Sequence, residues 1–203
     1  DCSCPDFFPI GDKHMLMFIS HTRGTQYYIG EFRNEKFYPE THGRMNWPGG
    51  ACFAQESLLD KNGRRIFWAW LPEARSRDAQ IASGWSGIMS APRTIELDTH
   101  GTLKIEPAEE LKSLRQNHRK LEHLEVNDVS ESTIEEIAGN CMEMIIEFEA
   151  QEDLDVGVKV LCSPGGEEET VISYDSAREH LEIDTSRSSL SKEIVQPHPY
   201  PQA

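Results

Sequence analysis

Long hydrophobic runs are missing from this chain of 203 residues: no apolar stretch approaches the ~18–20 residues of a membrane span, and no signal-peptide pattern opens it. Positive charge is scarce as well. Twenty Lys and Arg face 35 Asp and Glu, for a formal charge of −15 and an isoelectric point near 4.9. That deficit argues against a nucleic-acid backbone or an anionic membrane surface as the main partner. Only five cysteines occur, Cys2, Cys4, Cys52, Cys141 and Cys162, and their odd, scattered placement excludes a dense disulfide framework. Cys2-Ser3-Cys4 is the one close pair, and no second Cys/His pair with zinc-ligand spacing stands near it, so no metal site is expected. Reduced thiols tilt the reading toward a cytoplasmic compartment, with secretion left open. Aromatics make up 8% and the apolar share is 37%, modest but sufficient for a core.

What is present is a succession of short strand patterns cut by turns. Residues 14–20 (HMLMFIS), 26–32 (QYYIGEF) and a segment from Glu35 follow one another, the last ended by the breaker-rich Asn46-Trp47-Pro48-Gly49-Gly50. Residues 51–59 and 64–71 flank Asp60-Lys61-Asn62-Gly63, a hairpin turn, and strands are expected again at 84–90, 93–97 and 102–105. One short helix is predicted from Pro107 to about Arg115, where Leu111, Leu114, Leu121 and Leu124 fall at helical spacings. Beyond it the alternation resumes. Met142, Met144, Ile146 and Phe148 share one face against Glu143, Glu147 and Glu149, and Val156, Val158 and Val160 repeat the pattern, as does Leu181-Glu182-Ile183-Asp184. One buried and one solvated face is the mark of antiparallel sheets, so these glutamates need no catalytic role.

Charge divides the chain too. Residues 1–117 hold 14 basic and 15 acidic side chains, whereas residues 118–203 hold 6 and 20, which places a domain boundary near 115–120. The expected architecture is all-β, with domains at 1–115 and 116–203. The chain opens on Asp1 without an initiator methionine and closes on Gln196-Pro-His-Pro-Tyr-Pro-Gln-Ala203, so it reads as a piece of a larger protein.

Several segments resemble glycoside hydrolase family 32, the invertases, levanases and inulinases. Cys4-Pro5-Asp6-Phe7-Phe8 is similar to the segment after that family's acid/base glutamate. Phe53-Ala54 with Asn62-Gly-Arg-Arg-Ile-Phe-Trp-Ala-Trp70 is similar to its fourth-blade hairpin. Gly84-Trp-Ser-Gly-Ile-Met-Ser-Ala-Pro-Arg93, then Gly101-Thr-Leu and Pro107-Ala-Glu-Glu-Leu111, resemble its fifth blade and exit, and Glu169–Asp175 and Asp184–Ser189 its C-terminal sandwich. The resemblance implies the last blades of a five-bladed β-propeller followed by an incomplete antiparallel β-sandwich. It further implies retaining hydrolysis of β-fructofuranosyl bonds in sucrose or fructans, with a carbohydrate as the partner and no cofactor.

Such chemistry uses two carboxyl groups about 5–5.5 Å apart, one attacking and one donating a proton. By the resemblance, the nucleophilic and the stabilising aspartates belong to the first two blades, outside this chain. Ser3 stands where the acid/base glutamate is expected, and a hydroxyl cannot replace a carboxylic acid as donor. Two substitutes are carried forward: Glu56, where relatives carry Gln or Lys near the substrate, and Asp1, on the strand face of Ser3. Each has a plain alternative, a hairpin surface for Glu56 and a solvated terminus for Asp1. Trp47 is the candidate sugar platform, and Ser3, Asp6 and Phe53 are further substrate-binding candidates, with turn capping the alternative for Asp6. Ala51 in place of an aspartate and Ala69 in place of a glycine also depart from the family pattern. These departures leave open a non-catalytic carbohydrate-binding shell or pseudoenzyme.

Overall fold

The computed structural model describes residues 2–21, 23–47, 52–73, 75–127, 131–149 and 155–193. Strands β1 (Ser3–Ile10), β2 (Lys13–Ser20), β3 (Gly24–Arg33) and β4 (Lys36–Arg44) form an antiparallel meander in chain order. A second sheet contains β5 (Phe53–Leu59), β6 (Arg65–Leu71), β7 (Ile88–Met89), β8 (Arg93–Leu97) and β9 (Leu103–Pro107), ordered β5-β6-β8-β9, with β7 also on β6. A third, three-stranded antiparallel sheet holds β10 (Val156–Val160), β11 (Thr170–Asp175) and β12 (His180–Asp184). The chain divides into two compact units, and residues 115–192 make up the second.

Tight turns set the hairpins. Asp60 Oδ1 accepts the amides of Asn62 and Arg64 at 2.8 Å each, and Asp98 Oδ1 does the same for His100 and Thr102. A short aspartate that satisfies its own turn amides leaves the flanking strands free to pair. Gly30 sits at a register shift between β3 and β4, where an added Cβ would stand 2.0 Å from the Tyr38 carbonyl oxygen. Only glycine permits that approach.

β7 and β8 are one strand interrupted. Met89 pairs Trp70 and Arg93 pairs Phe67 along the same side of β6, and between them Pro92 has no amide to donate. Ser90 bridges the break: its amide donates to the Ala69 carbonyl at 2.8 Å, and its hydroxyl accepts the Ala69 amide at 3.0 Å. The expected division of these residues between two blades is therefore corrected, because hairpin β5–β6 and strands β7–β9 belong to one sheet.

The core of the first unit lies between its two sheets. Phe8, Ile10, Met15, Met17, Ile29 and Met45 from the first meet Phe67 and Ile95 from the second. Gln55 is also fully buried, and neither its amide nitrogen nor its carbonyl oxygen has a hydrogen-bond partner among the described residues.

Three expectations change on inspection. The helix near 107–115 is a 3₁₀ turn, Glu109–Leu114, with no buried residue, and Pro107 ends β9 instead. Leu114, Leu121 and Leu124 are exposed, so their spacing reflects no packed stripe. Residues 142–149 form no strand, and Met142, Met144, Ile146 and Phe148 all stand at least 40% exposed, because alternation without a ladder partner does not suffice. Strand 84–90 shrinks to Ile88–Met89. The unanticipated α1 (Arg77–Ser83) is capped by Ser76, whose side chain accepts the Ala79 amide, and closed by Gly84 at φ 76°.

In the second unit, Glu169 is buried and paired with Arg187 at 2.7 Å and Lys159 at 3.3 Å.

Phe67→Ala removes a fully buried ring from the seam and is expected to cost about 3–5 kcal/mol, whereas the exposed Leu58→Ala costs under about 1, as read by urea unfolding. Gln55→Met is expected to raise the same unfolding free energy by about 1–3 kcal/mol, since it removes an unsatisfied buried amide at nearly constant volume.

Candidate active site

Antiparallel pairing gathers the candidate residues at one end of the first unit. Ser3 pairs Ile19, Ser20 pairs Gly24 and Gln26 pairs Arg44, so the start of β1, the end of β2, the start of β3 and the end of β4 coincide. In the second sheet Phe53 pairs Trp70, and Trp70 pairs Met89. The His21 ring lies 5.7 Å from that of Phe53, edge to face, and Phe53 in turn lies 5.8 Å from Trp70 in the same geometry. This aromatic line joins the two sheet ends. The place of His21 against Phe53 depends on a contact 32 positions along the chain.

β1 and β5 share one irregularity. Three residues from Ser3 to Asp6 advance against two on β2, from Ile19 to Met17, and three from Phe53 to Glu56 advance against two on β6, from Trp70 to Trp68. Each bulge contains a non-glycine residue in the left-handed region, Cys4 at φ 47° and Ala54 at φ 45°. Asp6 and Glu56 each stand two residues past that point. The two carboxylates thus occupy equivalent places on the first strands of neighbouring sheets.

Their surroundings differ. Asp6 Oδ2 accepts the Ser57 amide at 2.9 Å and the Ser57 hydroxyl at 2.5 Å, so it holds the adjacent sheet and caps no turn of its own. Arg65 Nη1 donates to the Ser57 hydroxyl at 3.3 Å, and its guanidinium lies 4.2 Å from the centre of the Phe8 ring. The Glu56 carboxyl reaches solvent. Lost hydration, and after it the negative charge of Asp6, raise its pKa above the ordinary glutamate value. An anchored carboxylate beside one of raised proton affinity puts two carboxyl groups in unlike electrostatic settings.

The remaining candidates are placed as follows. Ser3 is half-buried at the start of β1. Trp47 is 89% exposed just past β4, with its carbonyl accepting the Asn46 side-chain amide at 3.0 Å. Asp1 and Ala51 lie outside the described residues. Cys52, the one buried thiol among five free cysteines, is pushed to higher pKa by burial, which keeps it unreactive. An open depression of about 540 Å³ lined by Arg77, Gln80, Ile81, Gly84, Trp85 and Ser86 includes none of the candidate residues. Among the described residues no three His, Cys, Asp or Glu side chains group to hold a metal.

Comparison with known proteins bears on this geometry. Residues 2–107 match the Glycosyl hydrolases family 32 N-terminal domain, and residues 110–200 match the Glycosyl hydrolases family 32 C terminal. Over 214 aligned residues the chain is 25% identical to sucrose-6-phosphate hydrolase of Zymomonas mobilis, covering 98% of this chain and 40% of that protein. It is 36% identical over 148 residues to beta-fructofuranosidase, insoluble isoenzyme 4, of Oryza sativa, covering 61% of this chain and 25% of that one. The crystal structure of fructan 1-exohydrolase IIa from Cichorium intybus superposes with a TM-score of 0.68 at 22% identity, over 95% of this chain and 47% of that chain. A variant of the same enzyme, in complex with 1-kestose, superposes with a TM-score of 0.70. The chain therefore spans less than half the length of each of these relatives. The likeness to the solved structures establishes the fold: the last blades of a five-bladed β-propeller and part of an antiparallel β-sandwich. With both parts of the family pattern matched in order along nearly all of its length, the chain belongs to glycosyl hydrolases family 32.

Proposed function

We propose that the full-length protein carrying this chain hydrolyses β-fructofuranosyl bonds of sucrose or fructans with retention of configuration. In this reading residues 1–115 supply the last propeller blades and 116–203 the sandwich part. Blades outside this chain supply the nucleophilic aspartate and the aspartate that stabilises the transition state. This chain contributes the proton donor. The observation that supports the reading is the exposed place of Glu56 on β5 just past the bulge, next to Ser57, which anchors Asp6.

The chemistry follows from those positions. As the nucleophile attacks the fructosyl carbon, negative charge grows on the leaving oxygen, and a carboxylic acid within reach transfers its proton there. Glu56 performs that transfer, and its carboxylate then takes a proton from the water that releases the fructosyl-enzyme. Ser3 contributes a hydroxyl to sugar binding and no proton. Phe53, Trp47 and the Asp6 oxygen not taken by Ser57 contact the sugar, with the exposed Trp47 indole packing on its C–H face. Asp1 is the second candidate donor. The family membership and the names of the matched relatives, which include fructosidases and a sucrose-6-phosphate hydrolase, support the carbohydrate substrate.

In the full-length protein Glu56→Gln is expected to lower kcat for sucrose about 10²–10⁴-fold, measured as fructose release. The raised pKa keeps the acid form present to higher pH, so wild-type activity falls as pH rises through it, and Glu56→Gln loses that alkaline limb. Unchanged turnover in Glu56→Gln with loss in Asp1→Asn moves the donor to Asp1. Fructoside binding by calorimetry without turnover in the wild type identifies a non-catalytic binder. Trp47→Ala is expected to raise KM about tenfold, ~1.4 kcal/mol of lost binding, with kcat retained in steady-state kinetics.

A further inference from the structure

β5 is the edge strand of its sheet, so every second backbone amide along it points away from β6 and needs a partner elsewhere. Ser57 carries one of these outward amides, one residue past Glu56. Its acceptor comes from the other sheet: Asp6 Oδ2, at 2.9 Å, which also takes the Ser57 hydroxyl at 2.5 Å. The same hydroxyl accepts from Arg65 Nη1 at 3.3 Å, so a continuous chain of hydrogen bonds runs from β6 through β5 to β1. Directly before it, β5 is bulged at Ala54, and the regular ladder with β6 resumes only at Glu56, opposite Trp68. The Asp6–Ser57 contact is the fastening beyond the irregular stretch.

We infer that Asp6 is the positioning residue for Glu56: it fastens β5 to β1 through Ser57 and holds its own negative charge beside the Glu56 carboxyl. This rests on the reading of Glu56 as the proton donor. Among the described residues the charge that acts on that carboxyl is that of Asp6 on β1. Arg65 is turned toward Ser57 and the Phe8 ring, and the residue opposite Glu56 on β6 is the uncharged Trp68. Asp6 is therefore the charge that acts on Glu56, and it favours the protonated form. The arrangement also explains why one carboxylate is anchored by two donors while its neighbour is left free to exchange its proton.

The test is the pH dependence of kcat/KM for sucrose in the full-length protein, for wild type, Asp6→Asn, Ser57→Ala and Glu56→Gln. Asp6→Asn removes the charge at constant shape and is expected to move the alkaline limb to lower pH, a loss of proton affinity at the donor. Ser57→Ala keeps the charge but loosens its placement, and moves the limb the same way by a smaller amount. A uniform fall of activity in Asp6→Asn with the limb unmoved, while Glu56→Gln abolishes the limb, overturns the role of Asp6 and leaves Glu56 as donor. A limb that persists in Glu56→Gln overturns both. Should Asp6→Asn fail to fold, the limb of Ser57→Ala decides: a downward move upholds the inference, and an unmoved limb overturns it.

Discussion

The apolar seam between the two sheets of the first unit governs what its ends can present. Met15, Met17 and Phe67 are fully buried there, and the two-residue period of a strand then dictates which way every other side chain on those strands must turn. A one-residue slip would expose the methionines, so the register is held by burial worth several kcal/mol. Against that rigid frame, an extra residue in β1 and another in β5 have a local effect only. They re-aim the strand starts without disturbing the core. The seam makes the bulges affordable, and the bulges bring Asp6 and Glu56 to corresponding points.

The electrostatics of the site follow from the same placement. Two carboxylates brought near each other cannot both ionise at ordinary cost unless one is compensated. Here the compensation is one-sided: two donors from Ser57 reach Asp6, and Arg65 supports them from behind. Glu56 has the neighbouring charge without the compensation. A glutamate at this position would be unremarkable on an isolated hairpin. Here lost hydration raises its proton affinity first, and the charge of a residue on another sheet adds to it.

Much of the fold was legible in the residues because its strands alternate and its turns use aspartate and glycine at fixed offsets. Strands β2, β3, β6 and β8 lie where their apolar patterns put them. The pattern misled where nothing supplied a partner, as at 142–149, and where one sheet is interrupted in sequence, since α1 separates β6 from β7 and β8, which both pair with β6. Helix α1 had both its Ser76 cap and its Gly84 stop in view, but it buries only Ala79, so no apolar stripe announced it. At the site, Glu56, Asp6 and Phe53 could each be picked out by likeness to a family. The link between Asp6 and Ser57 could not, because it joins residues 51 positions apart and exists only after the sheets pack. The contact of His21 with Phe53 was hidden for the same reason.

The acidity of the second half had no chemistry assigned to it, and the three-stranded sheet there gives it a colloidal use. Among the described residues its outer strands β10 and β12 each have a single neighbour, and β12 exposes Leu181 and Ile183 beside Glu182 and Asp184. Open strand margins with apolar side chains invite stacking of one molecule on another. Carboxylates spaced between those side chains would confront their own kind in any such self-pairing, and that repulsion opposes it.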